Sequence, residues 1–408
     1  MTETTTPAED AADSEQWLTP GVRGIGTASF LADVGHEIPT ALLPALLTTT
    51  LGAPAAALGA IEGVSDALAG AARFGGGVLA DDPARRRRVA VGGYTTTAVL
   101  GAVTAGATTV WQVGLLRAAA WTARGLRVPA RNALLADIVP ASKYGRAYGF
   151  ERMMDNLGAI FGPLLALGLI AWVGVQWAIG LSVIPGVLAA LAIVYAIRHT
   201  PRPTGRDKVA LKIRIRPLLG GDLGKLLAAC AAFETGNVAA TLLILRASDL
   251  LAPGHGAKRA TTIALALYTA YNVAATLTSV PAGRLADRLG KRGPVLVLTA
   301  GVAAFAAAYG LFTLNTTVVL LLAVPFVLAG VGIGAVETAQ HSAVAALAPK
   351  DLRGSAFGAL ATVQSLGNLA ASAVAGVLWS TVSPTAAFAY LTAWMVLALT
   401  GLLISIRR

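Results

Sequence analysis

Long apolar segments separated by short charged loops constrain this chain more than any other feature of its sequence. A helix needs ~20 apolar residues to cross a bilayer core of ~30 Å, and only 13% of the 408 residues are charged, which is too few to cover a soluble protein of this length. The sequence therefore predicts an all-α membrane protein with twelve transmembrane helices. The segments lie at about 24–50, 55–80, 89–109, 111–139, 145–171, 177–198, 222–247, 261–282, 294–313, 317–347, 354–380 and 385–405.

The basic residues indicate how these segments are oriented. With a cytoplasmic amino terminus, twenty-three Lys and Arg residues fall on the cytoplasmic side, and only Lys258 and Arg259 fall on the other side. Short cytoplasmic loops are enriched in Lys and Arg, so both termini are predicted to be cytoplasmic in a multi-pass protein of the inner (plasma) membrane. The net charge of +11 then faces anionic lipid headgroups, and nucleic acid is not an expected partner.

Charged stretches divide the chain into a tail and two halves. Residues 1–20 contain five acids and no Lys or Arg, unlike a signal peptide, and are expected to form a disordered acidic cytoplasmic tail. A basic cytoplasmic linker at 199–221 is expected to join an N-terminal six-helix bundle (21–198) to a C-terminal six-helix bundle (222–408). The single cysteine, Cys230, excludes an intrachain disulfide and a zinc site built from cysteines.

The two halves carry matching motifs. Gly-Val-Leu-Ala-Asp, from Gly77 to Asp81, is repeated as Gly-Arg-Leu-Ala-Asp, from Gly283 to Asp287, 206 residues later. A second set is repeated 209 residues later, with Pro140, Gly145, Gly149 and Gly158 matching Pro349, Gly354, Gly358 and Gly367. Parallel six-helix repeats joined by a central loop are an established plan of secondary transporters.

The loop that begins at Gly283 resembles a family signature. Its sequence Gly-Arg-Leu-Ala-Asp-Arg-Leu-Gly-Lys-Arg is similar to the signature loop of the major facilitator superfamily, although the first copy has Ala84 in place of a glycine. The fifth segment is similar to the signature of the proton-coupled drug and multi-substrate antiporters, but ends in Ala166-Leu167 instead of Gly-Gly. The resemblance implies two pseudo-symmetric six-helix bundles and a secondary active transporter, exporting a small organic compound by alternating access.

The residues of these motifs also have roles that follow from their chemistry. Glycines allow tight turns and close helix contacts, and Asp287 is placed to cap a helix and to pair with Arg288 or Arg292. We predict a cytoplasmic conformational gate formed by Gly77, Asp81, Gly283, Asp287, Arg288, Gly290 and Arg292. Helix packing is assigned to Gly149, Gly158, Gly162 and Pro163.

Ionisable residues inside the predicted spans are candidates for function, because a charge at the bilayer centre costs ~2.5–3.5 kcal/mol. The first half has six such acids and six arginines, whereas the second half has only Glu234, Glu337 and Arg246. Acids and arginines must meet to be buried, and proton coupling is therefore assigned to the first half, to Asp33, Glu37 and Asp155 with Arg124 as their switching partner. A substrate cavity at the midplane is assigned to His36, Glu62, Asp66, Arg117, Arg127, Glu151, Arg152, Glu234, Asn237, Tyr268, Tyr271, Asn272, Glu337, Gln340, His341, Gln364 and Asn368.

The sequence is compatible with two other functions. Asp33, His36 and Glu37 share one helical face and could carry a divalent metal ion as cargo, and a transporter-like membrane sensor is a further alternative. The chain has no Walker loop, and His36-Glu37-Ile-Pro-Thr40 lacks the second histidine of a His-Glu-x-x-His zinc site, so we expect no enzyme. A monomer without a cofactor or bound metal, with a small-molecule substrate and protons as partners, is expected.

Overall fold

The structure is a computed structural model that describes residues 17–200 and 214–407, and within these ranges it is helical without a strand. Most of the predicted acidic tail and residues 201–213 of the predicted linker lie outside the described residues. The all-α prediction is therefore confirmed for the described part of the chain.

The first half contains six α-helices: α1 (Pro20–Ala45), α2 (Ala55–Leu79), α3 (Pro83–Val103), α4 (Val110–Ile138), α5 (Tyr144–Leu181) and α6 (Val183–Arg198). The second half contains seven: α7 (Gly221–Glu234), α8 (Ala240–His255), α9 (Ala257–Arg288), α10 (Gly293–Phe312), α11 (Val319–Leu347), α12 (Arg353–Thr381) and α13 (Pro384–Arg407). A π-helical turn, Leu46–Thr50, extends α1.

Capping residues explain where several helices begin. The side chain of Asp82 accepts hydrogen bonds from the backbone N–H groups of Ala84 and Arg85, and Pro83 occupies the first position of α3. Thr109 and Gln112 form a reciprocal capping box at the start of α4. These contacts satisfy N–H groups that the first turn of a helix leaves without partners.

At two places the helices differ from the predicted series of spans. Gly174, with φ of 77°, interrupts α5 between the predicted segments 145–171 and 177–198, because only glycine adopts this conformation without strain. The prediction of one helix over 222–247 is wrong, since α7 ends at Glu234 and α8 begins at Ala240.

Among the described residues, seven helical stretches are long and apolar enough to cross a membrane by length and composition. Helices α1, α2 and α4 are long as well, but each carries at least three charged residues. The count of twelve transmembrane helices stays a prediction.

The helices pack in the same pattern in each half. In the first half α4 packs against α2 and α3, and α3 packs against α6; in the second half α11 packs against α9 and α10, and α10 packs against α13. The halves meet where α5 contacts α9 and where α2 contacts α12. The two contacts are related by the sequence repeat.

Glycines on α5 bring α1 close to it at the centre of the first half. A Cβ atom on Gly158 would lie 2.7 Å from the Cβ atom of Asp33 and 2.7 Å from the carbonyl oxygen of Phe30. Gly162 is packed in the same way against Glu37. This close approach places two carboxyl groups of α1 beside the polar face of α5.

Candidate functional site

The arginines of α4 reach three different neighbouring helices. The Arg117 guanidinium lies 2.9 Å from Glu62 on α2, and that of Arg124 lies 3.3 Å from Asp33 on α1. Arg131 lies 2.9 Å from a carboxylate of α5, that of Glu151. Because α4 is in contact with α2 and close to α1 and α5, one helical stripe pairs with acids on all three.

A second set of contacts links α4 and α5 into one charged cluster. Asp155 lies 3.4 Å from Arg131 and 3.2 Å from Arg152. Glu151 accepts hydrogen bonds from Arg152 at 2.6 and 2.8 Å and from the hydroxyl of Ser29 at 2.8 Å. Each buried carboxylate in this cluster therefore has a guanidinium partner, which offsets much of the cost of removing it from water.

The cluster extends to the second half and has more acids than arginines. Arg152 lies 3.8 Å from Glu337 on α11, and Asp33 packs against Gly158, which follows Asp155 by three residues on α5. The group formed by these contacts has four carboxyl groups for three guanidinium groups, namely Asp33, Glu151, Asp155 and Glu337 with Arg124, Arg131 and Arg152.

His36 joins this cluster to an aromatic side chain. Its Nδ1 atom lies 3.9 Å from Asp33 and 3.7 Å from Glu37, and its ring centroid lies 4.8 Å from that of Trp121. The indole N–H of Trp121 donates to Asp66 at 2.7 Å, so Asp66 has an uncharged partner. Sequence reasoning missed Trp121, although its i, i+4 spacing from an arginine of α4 was a usable signal.

Several charged side chains of the cluster remain partly exposed. The exposed fractions are 31% for Glu62, 28% for Glu337 and 26% for Arg124, whereas Glu151 is 1% exposed. The partly exposed groups therefore lie at an open surface of the structure, whereas Glu151 is enclosed.

The polar residues of the second half form an amide network around one buried carboxyl group. Glu234, 4% exposed, accepts hydrogen bonds from Asn237 at 3.0 Å and from Gln340 at 3.2 Å. Gln364 donates to Gln340 at 2.8 Å, and Asn368 donates to the carbonyl oxygen of Asn237 at 2.9 Å. The break between α7 and α8 thus lies inside this network.

The remaining predicted cavity residues of the second half lie on α9 and α11. The rings of Tyr268 and Tyr271 stack with centroids 5.5 Å apart, and Asn272 donates to the carbonyl oxygen of Tyr268. His341 contacts the carbonyl oxygen of Glu337 at 2.7 Å through its Nδ1 atom. The structure therefore places these residues on two packed helices of one half.

Three predicted cavity residues lie around a different space. His36, Arg117 and Arg127 line a cavity of about 30 Å³ between α1, α3, α4 and α6, to which no residue of the second half contributes. Arg127 stacks on Tyr94 of α3, with 4.1 Å between its guanidinium carbon and the ring centroid. The structure thus separates these three side chains from the amide network of the second half.

The predicted gate acids join the halves at one end of the molecule. Asp81 accepts hydrogen bonds from the backbone N–H of Ser355 at 2.8 Å and from its hydroxyl at 2.5 Å, at the N-terminus of α12. Asp287 accepts from the backbone N–H groups of Gly145 at 2.7 Å and Arg146 at 3.0 Å, at the N-terminus of α5. A carboxylate is favourable at a helix N-terminus, where N–H groups are unpaired.

The charge partner predicted for Asp287 is wrong. Its carboxylate lies 3.5 Å from Arg146, whereas Arg288, Gly290 and Arg292 are exposed. The aspartate faces the other half because it sits at the end of α9 beside the start of α5.

Glycines allow the backbones of the two halves to approach each other closely at this end. Gly283 packs against the backbone of Gly145, and Gly77 packs against those of Gly354 and Gly358. Gly149 packs against Ser279 in the same interface. A Cβ atom at these positions would collide with backbone atoms of the other half.

Asp81 has an environment that affects its protonation. Burial raises the pKa of Asp81 above its usual value, and the hydrogen bonds from Ser355 act in the opposite direction. The carboxylate form in this contact therefore depends on the two donors of Ser355.

Further contacts close the same end. Asp137 forms ion pairs with Arg86 of its own half and with Arg353 of the other half, the latter at 3.3 Å. Arg353 also donates to the hydroxyl of Tyr144 at 2.7 Å. Residues of both halves thus form the contacts that close the end with the predicted cytoplasmic loops.

The described residues contain no group of three or more His, Cys, Asp and Glu side chains arranged to hold a metal ion. Asp33, His36 and Glu37 share a face, as predicted, but Asp33 pairs with Arg124, and His36 stacks near Trp121 and lies 3.7 Å from Glu37. The metal-cargo alternative therefore gains no support from the described geometry.

Comparisons with known proteins agree on one family. A family profile described as Major Facilitator Superfamily matches residues 25–246 and 225–408. An uncharacterized MFS-type transporter of Methanocaldococcus jannaschii is 27% identical over 384 residues, covering 93% of each chain. An uncharacterized protein of Mycobacterium tuberculosis is 28% identical over 346 residues, covering 82% of this chain and 81% of the relative.

Two solved structures share the fold. The human organic anion transporter MFSD10 superposes with a TM-score of 0.69 at 15% identity, covering 93% of this chain and 99% of that one. A bacterial homologue of the iron transporter ferroportin, in an outward-facing state, superposes with a TM-score of 0.69 at 14% identity, covering 95% and 100%. At these identities the likeness shows the fold.

Proposed function

Because the chain belongs to the major facilitator superfamily, a family of multi-pass membrane transporters, we propose that it is a proton-coupled antiporter that exports a small organic compound. The family establishes the membrane-transporter part of this statement. The proton, the direction and the organic cargo are the proposal.

The excess of carboxyl groups in the central cluster carries the proposal. Four acids and three arginines leave one negative charge if every group is ionised, and an uncompensated buried charge is costly. A proton on one carboxyl group removes that charge. Asp33 and Asp155 are the best candidates, because they lie on different helices that pack closely where Gly158 meets Asp33.

Proton exchange at this pair is expected to depend on Arg124. A nearby guanidinium favours the ionised form of a carboxyl group, whereas an apolar environment favours the protonated form. Arg124 lies 3.3 Å from Asp33 and is partly exposed, so it has room to move between partners. Its withdrawal would favour proton uptake, and its return would favour release.

The cargo is proposed to bind between the halves, next to the coupling pair. Glu337 and Arg152 connect the two halves at 3.8 Å, and Glu337 neighbours the amide network of α7, α11 and α12. A cargo that contacts Arg152 or Glu337 would alter the charge balance of Asp155, which gives a direct route from cargo binding to proton affinity.

The conformation of the gate is consistent with alternating access. Asp81 and Asp287 close the end with the basic loops, so the central cavity is proposed to open toward the opposite side in this state. We propose that this closed end is cytoplasmic in the inner membrane, that both termini share that side, and that two six-helix bundles act as a monomer around the 199–221 linker.

Flux measurements in proteoliposomes test the proposal. Purified protein is reconstituted with an internal pH indicator, a pH gradient is imposed, and organic cations, anions, neutral compounds and divalent metals are added in turn. Proton movement driven by an organic compound is expected. Asp155→Asn and Asp33→Asn should abolish it, because neither variant can exchange a proton at that position.

Asp222→Asn serves as a matched control, because Asp222 is 75% exposed in a surface pair with Lys225. Normal coupled flux in Asp155→Asn and Asp33→Asn would overturn the assignment of the coupling residues. Proton movement driven only by divalent metals would favour the metal alternative, and binding without flux would favour the sensor.

A further inference from the structure

Glu234 is a buried acid of the second half that the proposed proton exchange does not use. It is 4% exposed, and within residues 17–200 and 214–407 it forms no ion pair. Its Oε2 atom accepts a hydrogen bond from the side chain of Asn237 at 3.0 Å, and its Oε1 atom accepts one from Gln340 at 3.2 Å. A buried carboxylate without a cation beside it is costly. The two amides reduce this cost but supply no charge that cancels it.

The position of Glu234 at the end of a helix adds to the cost of its negative charge. Glu234 is the last residue of α7, and the C-terminus of a helix carries a partial negative charge that disfavours an anion. The break that follows is held in place by two side chains. The backbone N–H of Val238 donates to the hydroxyl of Tyr309 at 3.2 Å, and that of Ala239 donates to the hydroxyl of Ser372 at 3.0 Å. The helix end therefore stays beside the carboxyl group.

The neighbours of Glu234 do not include a dedicated cation. Arg73 of α2 attracts both Glu234 and Asp66, and in the described part of the chain it forms an ion pair with neither. One guanidinium group therefore acts on two carboxyl groups. Helices α12 and α13 have no charged residue between 354 and 405. The other titratable side chains that interact electrostatically with Glu234 are Cys230, Tyr271, Tyr309 and Glu337, and none of them is a cation.

Asn237 can bind Glu234 in either protonation state. A side-chain amide carries both donors and an acceptor, and the side-chain oxygen of Asn237 forms no hydrogen bond with any described residue. Turning the amide would present this oxygen to a protonated carboxyl group without breaking a bond to a third residue. Gln340 lacks this freedom, because its side-chain oxygen already accepts from Gln364 at 2.8 Å.

We propose that Glu234 is a second proton-binding site, located in the second half, and that Asn237 turns its amide as the proton binds and leaves. The ionised carboxylate accepts from the amide N–H, and the protonated carboxyl group donates from Oε2 to the amide oxygen. A proton reaches this site from the open surface at which Glu337 lies, three residues before Gln340 on α11. The site shares no residue with the pair Asp33 and Asp155 and does not rest on the proposed transport reaction.

Infrared difference spectroscopy of the purified full-length protein in lipid tests the proposal, without a cargo or a pH gradient. A protonated carboxyl group gives a C=O stretching band that disappears when the group is ionised. Subtracting the spectrum of Glu234→Gln from that of the wild type isolates the band of Glu234, because glutamine has the same shape but binds no proton. We expect a band at acidic pH that is lost at alkaline pH. A band that Asp155→Asn removes belongs to the first half, so the two proposals fail separately.

Asn237→Ala should move the band of Glu234 to higher frequency, because the protonated carboxyl group loses its acceptor. Asp222→Asn is the matched control, since Asp222 is 75% exposed on the same helix, and should leave the band unchanged. Size-exclusion chromatography establishes that each variant is folded. The proposal is overturned if no band of Glu234 is found at any pH, or if the band keeps its intensity at every pH. If Glu234→Gln does not fold, identical pH-dependent bands in Asn237→Ala and the wild type overturn it.

Discussion

The contact between Asp81 and Ser355 is expected to hold the closed end of the molecule together. The hydroxyl of Ser355 lies 2.5 Å from one carboxylate oxygen of Asp81, and its backbone N–H lies 2.8 Å from the other. Both residues are buried in the contact, with 5% and 1% exposed. Ser355→Ala removes the hydroxyl and leaves the backbone contact, so the helix α12 itself is undisturbed.

The size of the effect follows from the charge on the acceptor. A hydrogen bond to a charged group contributes ~1.5–3 kcal/mol, and ~1.4 kcal/mol corresponds to a tenfold change in an equilibrium constant. If Asp81 is solvated once the halves separate, Ser355→Ala should lower the ratio of closed to open molecules by about 10-fold to 100-fold. If closed molecules only slightly outnumber open ones in the wild type, most molecules of the variant would be open at this end.

Distances between spin labels measure this change. Arg88→Cys and Lys291→Cys place labels at exposed positions on the two halves, and Cys230→Ser removes the buried native thiol. Double electron–electron resonance should show longer distances in Ser355→Ala. The matched control is Ser380→Ala, because Ser380 lies on the same helix and donates to the backbone of its own helix. Equal distance distributions in the two variants would refute the proposed role of the contact.

Four further outcomes are expected. Asp287→Ala should open the same end and add to Ser355→Ala in the spin-label experiment, because the two contacts share no residue; a sub-additive result would show that they act as one unit. Burial raises the pKa of Asp81, so the closed state is favoured below that pKa and loses this contribution as pH rises through it, and low pH should restore closure in Ser355→Ala. Arg152→Gln should lower the free energy of unfolding by ~3–5 kcal/mol, measured by chemical denaturation, because Glu151 and Asp155 must then share Arg131 and Glu337 loses its guanidinium partner. Gly158→Val should cost ~1–3 kcal/mol in the same assay, because its side chain meets the backbone of α1.

The positions of most helices could be predicted from the sequence because a membrane demands long apolar segments. The break between α7 and α8 could not be found in this way, since an average of apolarity over 222–247 does not register five non-helical residues. Gly236 and Asn237 lie in that break and are both residues that favour turns. Their adjacency was the local signal, and it was masked by the apolar residues on either side.

The pairing of acids with arginines was predictable, but the identity of the partners was not. Charge balance requires that arginines of α4 meet acids, and Arg117, Arg124 and Arg131 do so. Arg127 lies on the same helix but faces α3, where it meets Tyr94 instead of an acid. Which helix lies opposite each side chain depends on packing, for example on Gly93, which allows α3 to approach Arg127 closely.

The two halves make equivalent contacts at the closed end but have different polar residues at their centres. This difference indicates how function is divided between them. Asp81 and Asp287 each bind the N-terminus of a helix in the other half, so the repeat is preserved where both halves must move. At its centre the first half has arginine–carboxylate pairs, whereas Glu234 in the second half is held by amides. Amides do not titrate, and guanidinium groups change the proton affinity of the acids beside them. Under the proposed proton coupling, the second half would respond to a proton in the first half mainly through Arg152 and Glu337, so that pair is the expected link between proton binding and movement of the halves.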